Sequence, residues 1–360
     1  MRGGRLAVTS LGRSLGGNAK VKHNIKKSDR LCSNFRLQNE TFGIYQQLAR
    51  EILGGKRQPV ILVDWSDIDE RRKFFLLRAG VAVGGRSLTL YEEVHDISTR
   101  EKPKTHTNFL KKLSKILPPG CCPVLVTDAG FRAPWFKKVR ALGWDYIGRV
   151  RNRELVQLGK TDPWVGAKTL YEKANTKAKS FVNVFLTRSN TLRCSLVLFK
   201  AKAKGRKRIT KMGKIARSRT SLVNSVRARE PWLLATSLPA DKTSAKRIVQ
   251  IYSMRMQIEE SFRDLKCPRF GMSLYYNGTF KITRMRILVL IGSIAAIFAW
   301  LLGKTVRAAV AHLHYQANTT TTVRVLSNVF LGIQVFREGR LKLPWSQFRA
   351  EISTPYLCGC

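Results

Sequence analysis

The sequence predicts an α/β protein: a mixed sheet with flanking helices, interrupted by a β-rich insertion and preceded by a helical basic region. Three observations carry this. Short continuous apolar runs such as VILVDW and PVLVTD read as buried strands rather than half-exposed ones. Amphipathic helical stretches alternate with them. The charge is one-sided, with 66 Lys and Arg against 23 Asp and Glu, a formal net charge of +43.

Residues 1–56 are basic and helical in pattern, with Lys20, Lys22, Lys26, Lys27 and Arg30 in one short stretch. A solvated helix face and a DNA-contacting module both fit. The overall charge favours the module, because a field of this sign is matched by a polyanion whose counterions are released on binding.

PVILVDW (59–65) is the first buried strand. FFLLRAGVAV and RSLTLYEEV, separated by Gly84-Gly85, form a hairpin. A helix over 108–117 stops at Pro118-Pro119-Gly120. A second buried strand lies within CCPVLVTDAG (121–130), followed by a helix over 135–142 and a strand over 145–151. These make 57–151 the first part of an α/β domain. From 152 to 228 the pattern changes to short β-like runs, FVNVFLT and LRCSLVLF, and then a basic tract. Residues 201–220 hold nine Lys and Arg and no acid. Lys202, Lys204, Arg206, Lys207, Arg208, Lys211 and Lys214 are its candidate non-specific DNA contacts. WLLATSL (232–238) resumes as a strand, a long helix runs over about 244–266, and more helix follows at about 280–303. Residues 229–310 form the second part of that domain, and 311–360 a helical and basic tail.

Residues 287–303 are an apolar run of 17 residues. A spanning helix needs about 20, so a helix buried in a large domain is the expectation. The seven cysteines show no paired zinc spacing, and reduced thiols in a cytosolic protein are expected. No secretory signal opens the chain, whose first 30 residues are polar and basic.

Two predicted strands end in an isolated acid, Asp64 and Asp128. Open α/β sheets place functional groups at strand ends, although either acid alone would serve as a turn or helix-capping aspartate. The segment IYSMRMQIEESFRDLK adds Tyr252, Arg255, Glu259 and Lys266 at successive offsets of 3, 4 and 7. On one continuous helix these four fall within a wedge about 60° wide, and Arg263 extends it. A helix laced with salt bridges accounts for Glu259 beside Arg255 or Arg263, but not for the excess of cations. Cations flanking one carboxylate suit a site that takes both a divalent metal and a phosphate. Three carboxylates converging on a scissile phosphate can hold two divalent ions. All-oxygen ligands point to Mg²⁺, with Mn²⁺ as a substitute.

VDWSD, TDAGF and the Tyr252-x2-Arg255-x3-Glu259-x6-Lys266 spacing resemble the insertion-sequence-four family of bacterial cut-and-paste transposases, over about residues 10–340. The resemblance implies an RNase H-like catalytic fold with a β-rich insertion before the glutamate. It implies Asp64, Asp128 and Glu259 as the catalytic, metal-binding triad. Tyr252, Arg255 and Lys266 would hold the phosphate beside the transposon's terminal nucleotide. Trp232, four residues before Thr236, matches the family's tryptophan that stacks on a flipped base; a core tryptophan on a buried strand is the alternative. Members act on double-stranded DNA at terminal inverted repeats and at the target. They cut through a hairpin intermediate, within a dimeric synaptic complex. A bacterial cytoplasmic, nucleoid-associated protein that uses no membrane is therefore expected. The amino terminus is shorter than the family's by a few tens of residues, and the closing RLKLPWSQFRAEISTPYLCGC departs from its pattern. A truncated, DNA-binding but non-transposing derivative is thus one alternative. Another RNase H-like nuclease, such as a junction resolvase, and a basic membrane-surface protein are the others.

Overall fold

The computed structural model describes residues 5–339 apart from 152–153, 203–214, 216–217, 220–221, 223–229, 269–270, 318, 321 and 323–324. The chain divides into two compact units. One is Val124–Ser253; the other is built from Met1–Pro123 together with Met254–Cys360.

The two-segment unit begins with three helices: α1 (Val8–Arg13), α2 (Val21–Cys32) and α3 (Phe35–Leu53). Gly12 lets α1 and α2 touch backbone to backbone, since a Cβ there would lie 2.4 Å from the Ile25 Cα. The Asn34 side chain caps α3 by accepting from the Leu37 N–H, and Gly54 ends it at φ 53°. An antiparallel meander follows: β1 (Val60–Asp67), β2 (Phe74–Ala82) and β3 (Ser87–Asp96). Ile61, Leu62 and Val63 are fully buried, as a strand covered on both faces requires. Helix α4 (Pro103–Ile116) starts on a proline and buries Phe109, Leu110, Leu113 and Ile116.

In the second unit β4 (Val124–Thr127) is joined through α5 (Ala133–Ala141) to a parallel neighbour, β5 (Asp145–Val150). Gly148 leaves room for Phe136, which stacks on Tyr146 at 4.5 Å. The short β6 (Leu155–Gln157) and β7 (Val165–Gly166) precede a 3₁₀ turn, Ala167–Lys173. β8 (Lys179–Leu186), β9 (Leu192–Phe199) and β10 (Trp232–Thr236) complete the sheet, in the order β4-β5-β10-β9-β8-β6-β7. The runs FVNVFLT and LRCSLVLF thus extend this unit's sheet: β9 pairs antiparallel with β10 along its length. Helix α6 (Lys242–Ser253) closes the unit.

The chain re-enters the first unit in α7 (Met256–Lys266), then α8 (Ile282–Ala308) and α9 (Asn328–Glu338). The single helix expected over 244–266 is therefore two helices. The Ser253 hydroxyl donates to the Gln250 carbonyl at 2.6 Å, a local bond that competes with the helical ladder. Gln257 N and Ile258 N then bond to Met254 O and Arg255 O, three residues back rather than four.

Helix α8 contains the apolar run and is long and apolar enough to cross a membrane; 56% of its most apolar window is buried within the protein. It packs on β3 and α9. Gly332 of α9 sits against the Ala299 backbone and Gly303 of α8 against that of Asn328, so a side chain at either would collide with main chain.

Candidate active site

Asp64 lies near the end of β1, with only 8% of its surface exposed. One carboxylate oxygen accepts from the Trp65 N–H at 2.8 Å. Its cross-strand partner on β2 is Arg78, and the partner of Arg78 on β3 is Glu92. Residues directly opposite share a sheet face, so an acid, a cation and an acid run across three strands. Arg78 Nε donates to Glu92 at 2.7 Å, and Tyr45 and Ser293 donate to the other Glu92 oxygen at 2.9 and 2.6 Å. Glu92 is therefore fully engaged within the core. The sequence reasoning overlooked this pair; the signal was a lone arginine inside the apolar strand FFLLRAGVA.

Helix α7 packs on this small sheet. Ile258, Phe262 and Leu265 are buried, and Arg255, Glu259 and Lys266 lie on the adjoining flank of the helix, half-buried. The Arg255 guanidinium nitrogen Nη1 lies 3.3 Å from Asp64 and 2.5 Å from Glu259. Lys266 Nζ reaches the Ser66 hydroxyl at 2.9 Å and Asp67 at 3.4 Å. Arg263 instead ion-pairs with Glu260 and is 64% exposed.

Two carboxylates from distant parts of the sequence thus share one cationic nitrogen. All-oxygen donors around a common positive charge are the kind of ligands a hard divalent ion also takes. Asp64 and Glu259 could supply two ligands of such a site. Among the described residues no group of three or more His, Cys, Asp and Glu is gathered at metal-binding spacing.

The wheel that put Tyr252 on one face with Arg255, Glu259 and Lys266 requires an unbroken helix. Tyr252 belongs to α6 and the others to α7 and its cap. Within its own unit Tyr252 is buried, and its ring meets the Trp232 indole edge-on at 4.9 Å. Trp232 opens β10, half-buried, with Phe199 on a further side at 6.0 Å.

Asp128 directly follows β4. Its carboxylate accepts from the Gly130 N–H at 2.8 Å, an Asx turn that fixes the side chain. It opens onto a cavity of about 350 Å³ lined also by Arg149, Arg151, Glu154 and Glu230. Burial lowers the Arg149 pKa.

Lys202 is exposed; Lys204, Arg206, Lys207, Arg208, Lys211 and Lys214 lie outside the described residues. The described cysteines carry free thiols. Burial pushes Cys32 and Cys121 up to about 11, which suits inert packing residues.

Residues 55–293 match the family described as transposase DDE domain. The match covers more than half of the chain and spans Asp64, Asp128 and Glu259. No curated protein matches the chain.

Proposed function

The chain belongs to the transposase DDE domain family, and from that premise we propose that it is a cut-and-paste DNA transposase of the insertion-sequence-four kind, similar to the transposase of insertion sequence ten. Its core would be RNase H-like, with 152–228 as the β-rich insertion. The observation that carries the site is the convergence of Asp64 and Glu259 on Arg255. The proposed ligand set adds Asp128 on motif grounds.

Mg²⁺ ions held by these carboxylates, or Mn²⁺ in their place, would supply the activation of water or of a 3′-hydroxyl and stabilise the leaving oxygen. The chain's own groups do the rest. Asp64 and Glu259 give up their contact with Arg255 and face the incoming strand. Arg255 transfers its guanidinium from carboxylate to phosphate, a bidentate partner it fits equally well. Lys266 holds a second phosphate as a point charge, with Ser66 and Asp67 keeping it in place. Tyr252 completes the phosphate-holding set from α6, and Arg263 gives a weaker, exposed contact.

Reaction proceeds by nicking one strand, forming and reopening a hairpin at the transposon end, and joining the 3′-end to target DNA. Trp232, braced edge-on by Tyr252, receives the flipped base during the hairpin step. The tract 201–220 follows the DNA backbone without reading bases. Two copies assemble on a pair of terminal inverted repeats. Incubation with end DNA and Mg²⁺ tests this: nicked, hairpinned and joined products are expected, and their absence with DNA binding retained would favour the non-transposing derivative.

A further inference from the structure

Two surface loops of the unit containing Asp64 meet. The first, 68–73, links β1 to β2. The second runs from the 3₁₀ turn Leu274–Tyr276 to the start of α8. The Glu70 N–H bonds to the Tyr275 carbonyl at 3.1 Å and ties the two together. Each is also pinned internally. Asp69 accepts from the Lys73 and Phe74 N–H groups at 3.0 and 2.8 Å, and Asn277 accepts from the Thr279 N–H at 2.7 Å.

On this platform Phe280 is 65% exposed. Arg71 lies over its ring at 3.9 Å, and Lys73 stands 5.9 Å from the ring centre. Tyr276 beside it is 46% exposed. Arg72 and Lys281 add two more exposed cations, against Glu70 as the exposed acid of the loop. Phe280 precedes the N-cap of α8, where a hydrophobic residue commonly packs on the fourth helical residue. That residue, Met285, is fully buried while Phe280 is not, so capping α8 does not account for the exposed ring.

We propose that Phe280, backed by Arg71 and Lys73, is a stacking platform for a nucleobase that leaves the duplex near the cleavage site. The proposal rests on DNA being the ligand, as the transposase assignment requires. The chemistry is complementary: an aromatic face takes any base, and the surrounding cations take the phosphates on either side. Arg71 covers part of the ring environment and still leaves the phenyl group largely open, which gives an arginine, ring, base sandwich. The 68–73 loop of the platform follows β1, the strand that carries Asp64. Lys266 contacts Asp67, and the 68–73 loop follows directly. A base turned out of its stack is the ligand that an exposed ring flanked by cations takes.

The test is equilibrium binding, without divalent metal, of a short duplex containing 2-aminopurine either paired or in a one-base bulge. Wild-type protein should prefer the bulge and quench its fluorescence. Phe280→Ala should lose that preference by roughly fivefold to a hundredfold, the range for base stacking on an aromatic side chain, with the salt dependence unchanged. Phe280→Trp should keep the preference, and Arg71→Ala should weaken both duplexes. Phe280→Ala indistinguishable from wild type, or weakened equally on both duplexes, would overturn the platform. So would loss of binding to phosphatidylserine vesicles in that variant with DNA binding intact. Cleavage is scored separately: a protein that shows the bulge preference but never cuts with Mg²⁺ refutes the nuclease assignment and leaves the platform standing.

Discussion

Arg255→Ala should tighten divalent-metal binding by the free protein while slowing DNA cleavage. The guanidinium touches Asp64 and Glu259 at 3.3 and 2.5 Å, with side-chain exposures of 16% for Arg255, 11% for Asp64 and 39% for Glu259. Unit charges about 4 Å apart near a protein surface interact by about 4 kcal/mol before desolvation and screening. Exposure brings the Glu259 contact down toward about 1 kcal/mol, and the more buried Asp64 contact retains somewhat more. A net 1–3 kcal/mol of competition is roughly a fivefold to hundredfold change in affinity. Calorimetric titration of Mn²⁺ into wild type and variant, without DNA, measures it. Asp64→Asn in the Arg255→Ala background should abolish the gain. Unchanged or weaker Mn²⁺ binding in Arg255→Ala, with an unaltered melting temperature, would refute the idea that the guanidinium occupies the cation position.

The buried Arg78–Glu92 pair, with side chains 4% and 1% exposed, should behave as a unit. Arg78→Met alone should cost about 3–5 kcal/mol by leaving a buried charge, and adding Glu92→Leu should restore much of it; urea unfolding of both variants decides. Trp232→Ala should slow hairpin formation more than first-strand nicking, as loss of roughly 1–3 kcal/mol of stacking predicts, and equal slowing with a lowered melting temperature would make Trp232 a packing residue. Acid should destabilise the Asp64 unit in two stages. Burial lowers His106, which accepts from the Trp65 indole, to about 4, so stability falls as pH drops from 6.5 toward 4. Burial raises Glu93, but hydrogen bonds from His95, Lys112 and Tyr91 outweigh it and leave a pKa of about 2, so a second loss begins below 4.5. His106→Gln should remove the first stage from a plot of melting temperature against pH, and an unchanged curve would contradict the assignment.

The parts legible in the sequence are those set by local pattern. β1, the β2–β3 hairpin, α5 and β5 sit close to where apolar runs and glycine turns put them, because burial on both strand faces forces near-continuous hydrophobicity. The break between α6 and α7 was not legible. No proline or glycine marks it, Ile251, Ile258, Phe262 and Leu265 keep helical spacing across it, and the break shows only in the hydrogen bonds, where Gln257 and Ile258 bond three residues back. Strand partnership was not legible either: nothing local in LRCSLVLF states that it pairs with WLLAT. β6 and β7 are too short to show a period. Glu259 and Asp64 could be singled out by spacing and strand position. Their meeting on Arg255 is a tertiary fact, reached across 191 residues.

Asp64, Asp128 and Glu259 are proposed to act together in metal-dependent strand cleavage. The most direct measurement is cleavage of end DNA by wild type, Asp64→Asn, Asp128→Asn and Glu259→Gln, with Mg²⁺ and with Mn²⁺, alongside DNA binding by the same proteins. Cleavage is expected from wild type with either ion, with none in chelator and none from any of the three variants while DNA binding persists. Wild-type cleavage by any one variant, or wild-type cleavage in chelator, would contradict it.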